Sequence, residues 1–228
     1  MTALCPALRG RLARVAGVAA ALALAAGCSP GAQSVPQADN PGGAVHQGGN
    51  DHDGYRGAGL PDPYPLPSVQ LTDTAGEPFD LVADTTRAVT LVFFGYTNCP
   101  DICNLVMADI ASAMTRLEPE IAEQVQMVFI TSDPKRDTPE VIRAYLDRFD
   151  PSFEGVTGPL SRIEKVAQSL GVPIEGTRRL PSGGYEVGHG SQIIGIGADD
   201  RAQVVWTQGT SVGDLVTDIT RLVEQQQG

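Results

Sequence analysis

The chain has 228 residues, with 16 lysines and arginines against 27 aspartates and glutamates, and a formal charge of −11 at pH 7. That length suits one domain with appendages, or two small ones. An acidic surface of this kind repels nucleic acid and anionic lipid headgroups, so neither is expected as an electrostatic partner.

At the start of the chain, Arg9, Arg11 and Arg14 precede the apolar run "VAGVAAALALAAGC". A basic start followed by a short apolar stretch ending in small residues reads as a secretory signal peptide over residues 1–27, too short for a stable transmembrane helix. The ending "LAAGC" resembles a bacterial lipobox, with Ala25 where a larger aliphatic is usual. The resemblance implies cleavage before Cys28, lipidation of its thiol, and a place at the cell membrane facing the extracytoplasmic side. Cleavage would remove three of the 16 basic residues and none of the 27 acidic ones, taking the formal charge from −11 to −14. Cys5 would go too. Cys99 and Cys103 are then the thiols left in an oxidising compartment, where redox chemistry, metal binding and stapling are all open.

Residues 28–65 read as the lipidated N-terminus and a flexible linker. Gly, Pro, Ser, Asn and Gln dominate, with no apolar period. His46 and His52 lie in this tether and read as solvated spacers, with metal collection as the alternative.

Residues 66–228 carry the pattern of a folded domain. "VQLTDTAGEPFDLV" reads as two short strands turning at Gly76. "AVTLVFFGY" is a continuous apolar run, as for a strand buried on both faces. Val106, Met107, Ile110, Ala113, Met114 and Leu117 then recur at helical spacing. "VQMVFITSD" is a second buried strand. Thr138, Pro139 and Glu140 mark a helix N-terminus. "PLSRIEKVAQSLGV" predicts a helix closed by Gly171, and "SQIIGIGADDRAQVVWTQ" two strands around an Asp-Asp turn. "SVGDLVTDITRLVEQQQ" predicts a final helix capped by Ser211. This alternation predicts an α/β fold, with a parallel sheet centre and an antiparallel edge pair.

The chemistry concentrates in "FGYTNCPDICNLVM". Cys99 follows the strand and Pro100 suits a first helical position. Cys99 and Cys103 would then share one face of a helix start, where the dipole and free N–H groups favour thiolates. Two such thiolates make a soft claw suited to Cu(I), and also able to hold zinc. The same spacing puts the Cα atoms at roughly 6 Å, so a disulfide is also open to them. The loop it would close is too short to stabilise the fold much. Two sulfurs leave a metal short of ligands. His189, in the Gly-flanked stretch "GYEVGHGSQIIGI", is the histidine of the folded domain and the candidate third ligand. A solvated loop histidine is the alternative. Asp101 complements the helix dipole or tunes the thiols.

Taken together, "FFGYTNCPDIC", "FITSDPKRDTPEVIRAYLDRF", "FEGVTG" and His189 before an apolar strand resemble the SCO/SenC family of copper-binding, thioredoxin-like proteins. The likeness covers about residues 67 to 226. It implies a thioredoxin-like fold, a central mixed sheet flanked by helices, with an extra hairpin. It implies one copper ion on Cys99, Cys103 and His189, and delivery of copper or reducing equivalents to the binuclear copper site of cytochrome c oxidase. Other copper carriers are further candidate partners. Asn104 stands where the family often has Pro. Asp133, Arg136 and Asp137 of "DPKRDTP" are expected to shape a loop near the site.

The leading expectation is therefore a membrane-tethered copper chaperone that turns over no substrate. The alternative is a thiol–disulfide oxidoreductase acting through Cys99 and Cys103. His189 separates them, because only metal binding needs it. A peroxidase would want a low-pKa cysteine beside a Thr and an Arg, and the sequence places no such cluster at Cys99.

Overall fold

A computed structural model describes residues 54–181 and 183–227. The expected signal peptide, Cys28, His46 and His52 lie outside the described residues. The strands are β1 (Ala58–Pro65), β2 (Gln70–Asp73), β3 (Pro78–Asp80), β4 (Val89–Gly95), β5 (Val125–Thr131), β6 (Glu154–Thr157), β7 (Ile174–Arg179), β8 (Tyr185–His189), β9 (Ile193–Gly197) and β10 (Arg201–Trp206). The helices are α1 (Cys103–Arg116), α2 (Pro119–Ala122), α3 (Pro139–Leu146), α4 (Leu160–Ser169) and α5 (Val212–Gln225).

Among the described residues, eight strands form one mixed sheet in the order β1-β10-β9-β4-β5-β6-β2-β3, while β7 and β8 pair only with each other. The centre β4-β5-β6 is parallel, and β9 joins β4 antiparallel. β4 and β5 are mostly apolar and almost wholly buried, because both faces of the sheet centre are covered. Along β4 the side chains alternate: Val89, Leu91 and Phe93 face a cluster with α1, α3 and α5, while Val92 and Phe94 face a cluster with α4. Among the described residues no helix is long and apolar enough to cross a membrane.

Local signals placed several ends well. Thr138 caps α3, accepting from the Val141 N–H at 3.4 Å, with Pro139 next in the chain. Ser211 caps α5 by accepting from the Asp214 N–H at 3.1 Å. Gly171 adopts φ +67 just after α4, the left-handed conformation that closes a helix.

Three expectations need correction. First, residues 54–65 are not tether. β1 pairs with β10, and Asp218, fully buried in α5, accepts from the N–H groups of Arg56 and Gly57 and from Trp206 Nε1. Pro61, Pro63 and Pro65 disguised this strand, but a sheet edge tolerates residues that donate no N–H.

Second, α1 begins at Cys103, so the two cysteines do not share a helix face. Pro100 pushes the preceding Cys99 out of the helical region, and Ile102 at the N-cap offers no side-chain cap to start the helix earlier. Cys99 instead sits in a turn, its N–H donating to the Tyr96 carbonyl at 3.2 Å.

Third, His189 is not in a free loop. It ends β8 opposite Ile174, and the glycines with freedom are at the hairpin turn, Gly183 (φ +89) and Gly184 (φ +78).

Candidate metal centre

Two elements carry the site. One is the segment between β4 and α1, the other the end of β8. The Sγ atoms of Cys99 and Cys103 and a ring nitrogen of His189 all lie within 4.8 Å of one another. Both cysteines are free thiols and buried, and His189 is half-buried. Cys103 Sγ is 3.4 Å from His189 Nε2. On the other side of the ring, Nδ1 is 2.8 Å from the Gly190 carbonyl oxygen. A carbonyl only accepts, so Nδ1 carries the proton, and Nε2 is left with its lone pair facing the sulfurs. This is the tautomer a metal ligand needs.

The arrangement suits a soft ion. Thiolates sit about 2.3 Å from a bound d10 ion, so two donors across it are at most about 4.6 Å apart. The three atoms are already near that span. Two sulfurs and an imidazole match copper in either oxidation state, and zinc less selectively.

The two thiols differ in acidity. Cys99 is held well below the ordinary thiol range, chiefly by the hydrogen bond from Cys103. Burial opposes this, and the N–H groups of Asp101 and Cys103 reinforce it. The turn therefore does what a shared helix face was expected to do: it folds Cys99 back onto the N–H groups at the start of α1. Cys103 is pushed up, because its proton is kept in the bond to Cys99 and burial disfavours a second charge. Burial also raises the Tyr96 phenol to about 12.

Space for Cys103 comes from Gly95. A Cβ there would lie 3.4 Å from Cys103 Sγ and 2.9 Å from the Phe129 ring. The imidazole is packed by edge contacts to Tyr96 (5.6 Å between centroids) and Phe93 (6.2 Å).

The loop after β5 braces both carriers. Asp137 is fully buried and accepts from Thr97 N (3.0 Å), Thr97 Oγ1 (2.6 Å) and Thr131 Oγ1 (2.7 Å), fixing the segment just before Cys99. Arg136 pairs with Asp133, not with Asp137. The loop-shaping role expected of these three residues is thus divided. Thr97 donates to Asp137, and Arg136 pairs with Asp133.

Sequence reasoning assigned no role to Tyr96, Thr97 or Tyr185. The only signal was position, since Tyr96 and Thr97 lie between a buried strand and a cysteine. A groove of about 220 Å³ opens over Ile102, next in the chain to Cys103, with Leu105 and Ser191, and Leu105 is 61% exposed.

A Stutzerimonas stutzeri protein provisionally named as copper-binding is 33% identical over 141 residues, spanning 61% of this chain and 68% of that protein. The next curated relatives are matched over about a third to a half of their length, among them a SCO2-like protein of Rickettsia prowazekii, 38% identical over 104 residues, 45% of this chain and 49% of that one. Among solved structures, Bradyrhizobium japonicum ScoI with copper bound superposes with TM-score 0.62 at 30% identity, covering 69% of this chain and 99% of that one. The SCO1/SenC family profile matches residues 66–224, and the chain belongs to that family.

Proposed function

We propose that this chain is a copper metallochaperone, anchored at the extracytoplasmic face of the cell membrane, that carries one copper ion on Cys99, Cys103 and His189. Its recipient is the binuclear copper site of cytochrome c oxidase, and copper is cargo here. The observation that carries the reading is the convergence of three donor atoms within 4.8 Å, one of them an imidazole whose proton is held on the far nitrogen. Relatives named as copper-binding, or solved with copper bound, support the choice of metal. A related protein is described as a member of the Sco family of cytochrome c oxidase assembly proteins, which supports the recipient. A Bacillus anthracis relative is described as a SCO1/SenC family lipoprotein, which supports anchoring through Cys28.

The acidity difference between the thiols favours a second reading, a thiol–disulfide oxidoreductase. In that reaction the Cys99 thiolate attacks a partner disulfide and expels one partner thiolate. Cys103 then attacks the mixed disulfide and releases the second, so the partner gains two electrons and this chain becomes Cys99–Cys103 disulfide.

One experiment separates them. The recipient's copper-site domain is offered either reduced, to the copper-loaded chain, or as its disulfide, to the reduced copper-free chain. The chaperone reading expects copper transfer, lost in His189→Ala. The oxidoreductase reading expects thiol reduction that survives His189→Ala. A chain that binds no copper under reducing conditions would end the first reading.

A further inference from the structure

We infer that Arg136 and Tyr185 form a clasp that sets the position of His189 against the two cysteines, and so governs how well the site accommodates Cu(II). The inference rests on the copper reading above and extends it to residues that touch no metal.

The β7–β8 hairpin needs such a device. It carries His189 at its end, yet it pairs with no strand of the main sheet. The cysteine segment hangs from β4, inside the main sheet. Nothing in the sheet's hydrogen bonding therefore fixes the imidazole relative to the sulfurs.

Arg136 supplies the missing tie by touching both carriers. Its guanidinium stacks 3.7 Å from the Tyr185 ring centroid and lies 5.5 Å from that of Tyr96. Its Nη1 donates to the Tyr185 carbonyl oxygen at 3.1 Å. Its charge pairs with Asp133, and the Tyr185 hydroxyl donates to the other Asp133 oxygen at 3.0 Å. Tyr96 belongs to the cysteine side, and its carbonyl holds the Cys99 N–H. It also reaches back to the hairpin, since its ring meets the His189 imidazole edge-on at 88°. The path from cysteine turn to histidine thus runs Tyr96, Arg136, Tyr185, with Asp133 locking the guanidinium.

Arg is suited to this place and Lys is not. A planar fork stacks on rings and directs separate N–H groups to a carboxylate and a carbonyl, which an ammonium does not do. The consequence is selective. Two thiolates hold Cu(I) in low coordination without help, whereas Cu(II) needs the imidazole in place.

The test uses the full chain with Arg136→Lys and Tyr185→Phe. Arg178→Gln, which breaks the exposed Arg178–Glu186 pair on the same hairpin, is the control. Each is titrated with Cu(II) and, separately, Cu(I) against competing chelators, in the wild-type and His189→Ala backgrounds. Partners of this outer kind are worth about 10-fold or more in metal affinity. We expect that loss for Cu(II) in both clasp variants, with a shifted thiolate-to-copper absorption band, little change for Cu(I), and none for the control. In His189→Ala the clasp substitutions should cost Cu(II) nothing further. Equal losses in both backgrounds would mean a general structural role and overturn the inference.

A copper-free readout keeps it separable from the copper reading. The His189 ring protons, identified by their loss in His189→Ala, should move in both clasp variants. Unmoved ring signals sink the clasp even if copper binds as proposed. Moved signals with copper binding indifferent to His189 sink the copper reading and leave the clasp standing as a positioning device.

Discussion

His189 Nε2 stands 3.4 Å from Cys103 Sγ across 86 residues of chain. The thiol is fixed by the main sheet and α1, and the imidazole by a hairpin outside that sheet. In the proposed copper site, one half would then be held by the main sheet and suit Cu(I), and the other, held separately, would complete Cu(II) coordination.

That division predicts an asymmetric mutant series. Removing either sulfur, as in Cys99→Ser or Cys103→Ser, should abolish tight copper binding. His189→Ala should weaken Cu(II) far more than Cu(I) and shift or remove the thiolate charge-transfer colour. Oxidising the pair to a disulfide should release the metal, since it consumes both thiolates. Metal content and absorbance of the reduced and oxidised proteins check this. Full copper retention after oxidation is incompatible with the three-ligand site.

The acidity difference predicts an unusual pH profile for the reduced, copper-free chain. Cys99 is depressed below the ordinary thiol value of about 8.5 and Cys103 is raised above it. Below about pH 8.5, folded Cys99 is a thiolate while the unfolded chain binds the proton there, so stability rises with pH. Above it, folded Cys103 keeps a proton that the unfolded chain releases, so stability falls. Urea midpoints should therefore peak near pH 8.5 in the reduced chain, and Cys99→Ser should lose the rise on the acid side. Alkylation of Cys99 should also persist at pH 6, where an ordinary thiol is almost unreactive. Two thiols titrating together at an ordinary value would contradict the paired arrangement.

Legibility from sequence followed the local physics. The buried strands β4 and β5 were readable because a continuous apolar run has few other solutions. The starts of α3 and α5 were readable because Thr138 and Ser211 cap through their own side chains. The grouping of Cys99, Cys103 and His189 was legible because thiols and imidazole stand out by type, although the helix face read from the cysteine spacing was not what brings them together. The start of α1 was not, since Pro100 is compatible with either a helix start or a preceding turn. β1 was not, since its stability comes from β10 and from Asp218, 161 residues beyond Gly57. The Arg136 bridge was illegible for the same reason: its value lies in Tyr185, 49 residues on.

Asp137 should be the most costly substitution near the site that removes no ligand. It is fully buried and accepts hydrogen bonds from Thr97 and Thr131. Asp137→Ala strands those donors, and each hydrogen bond to a charged group is worth about 1.5–3 kcal/mol, so a loss of about 3 kcal/mol or more is expected. Asp137→Asn keeps the shape and part of the bonding and should lose less. Urea unfolding of the reduced copper-free chain measures both. A loss under about 1 kcal/mol for the alanine variant would show that the segment before Cys99 is held by something else.

Anchoring is tested at Cys28. A single acyl chain binds membranes only marginally, whereas several hold firmly, so a lipidated N-terminal cysteine is a firm anchor and an unmodified one is none. Cys28→Ser should move the protein from the membrane fraction to the soluble fraction. A variant that stays on the membrane, processed as before, removes the lipobox reading.

The attachment of β1 gives the last prediction. Asp218 gathers the N–H groups of Arg56 and Gly57 and the Trp206 indole N–H onto one fully buried carboxylate, at 2.8–3.0 Å. The Leu66 N–H, at the far end of the strand, donates to the Asp200 carbonyl at 2.9 Å. These amides should therefore exchange slowly, in contrast to the near-random-coil rates expected of a tether through residue 65. Asp218→Ala leaves an indole and two backbone donors without their acceptor and should cost about 2–3 kcal/mol. It should also release the strand selectively, with the Arg56 and Gly57 amides losing protection while those of the central strand β4 keep theirs. Trp206 is fully buried beside that carboxylate, so its fluorescence should shift to the red as water enters. Fast exchange at Arg56 and Gly57 in the unaltered protein would return residues 54–65 to the tether.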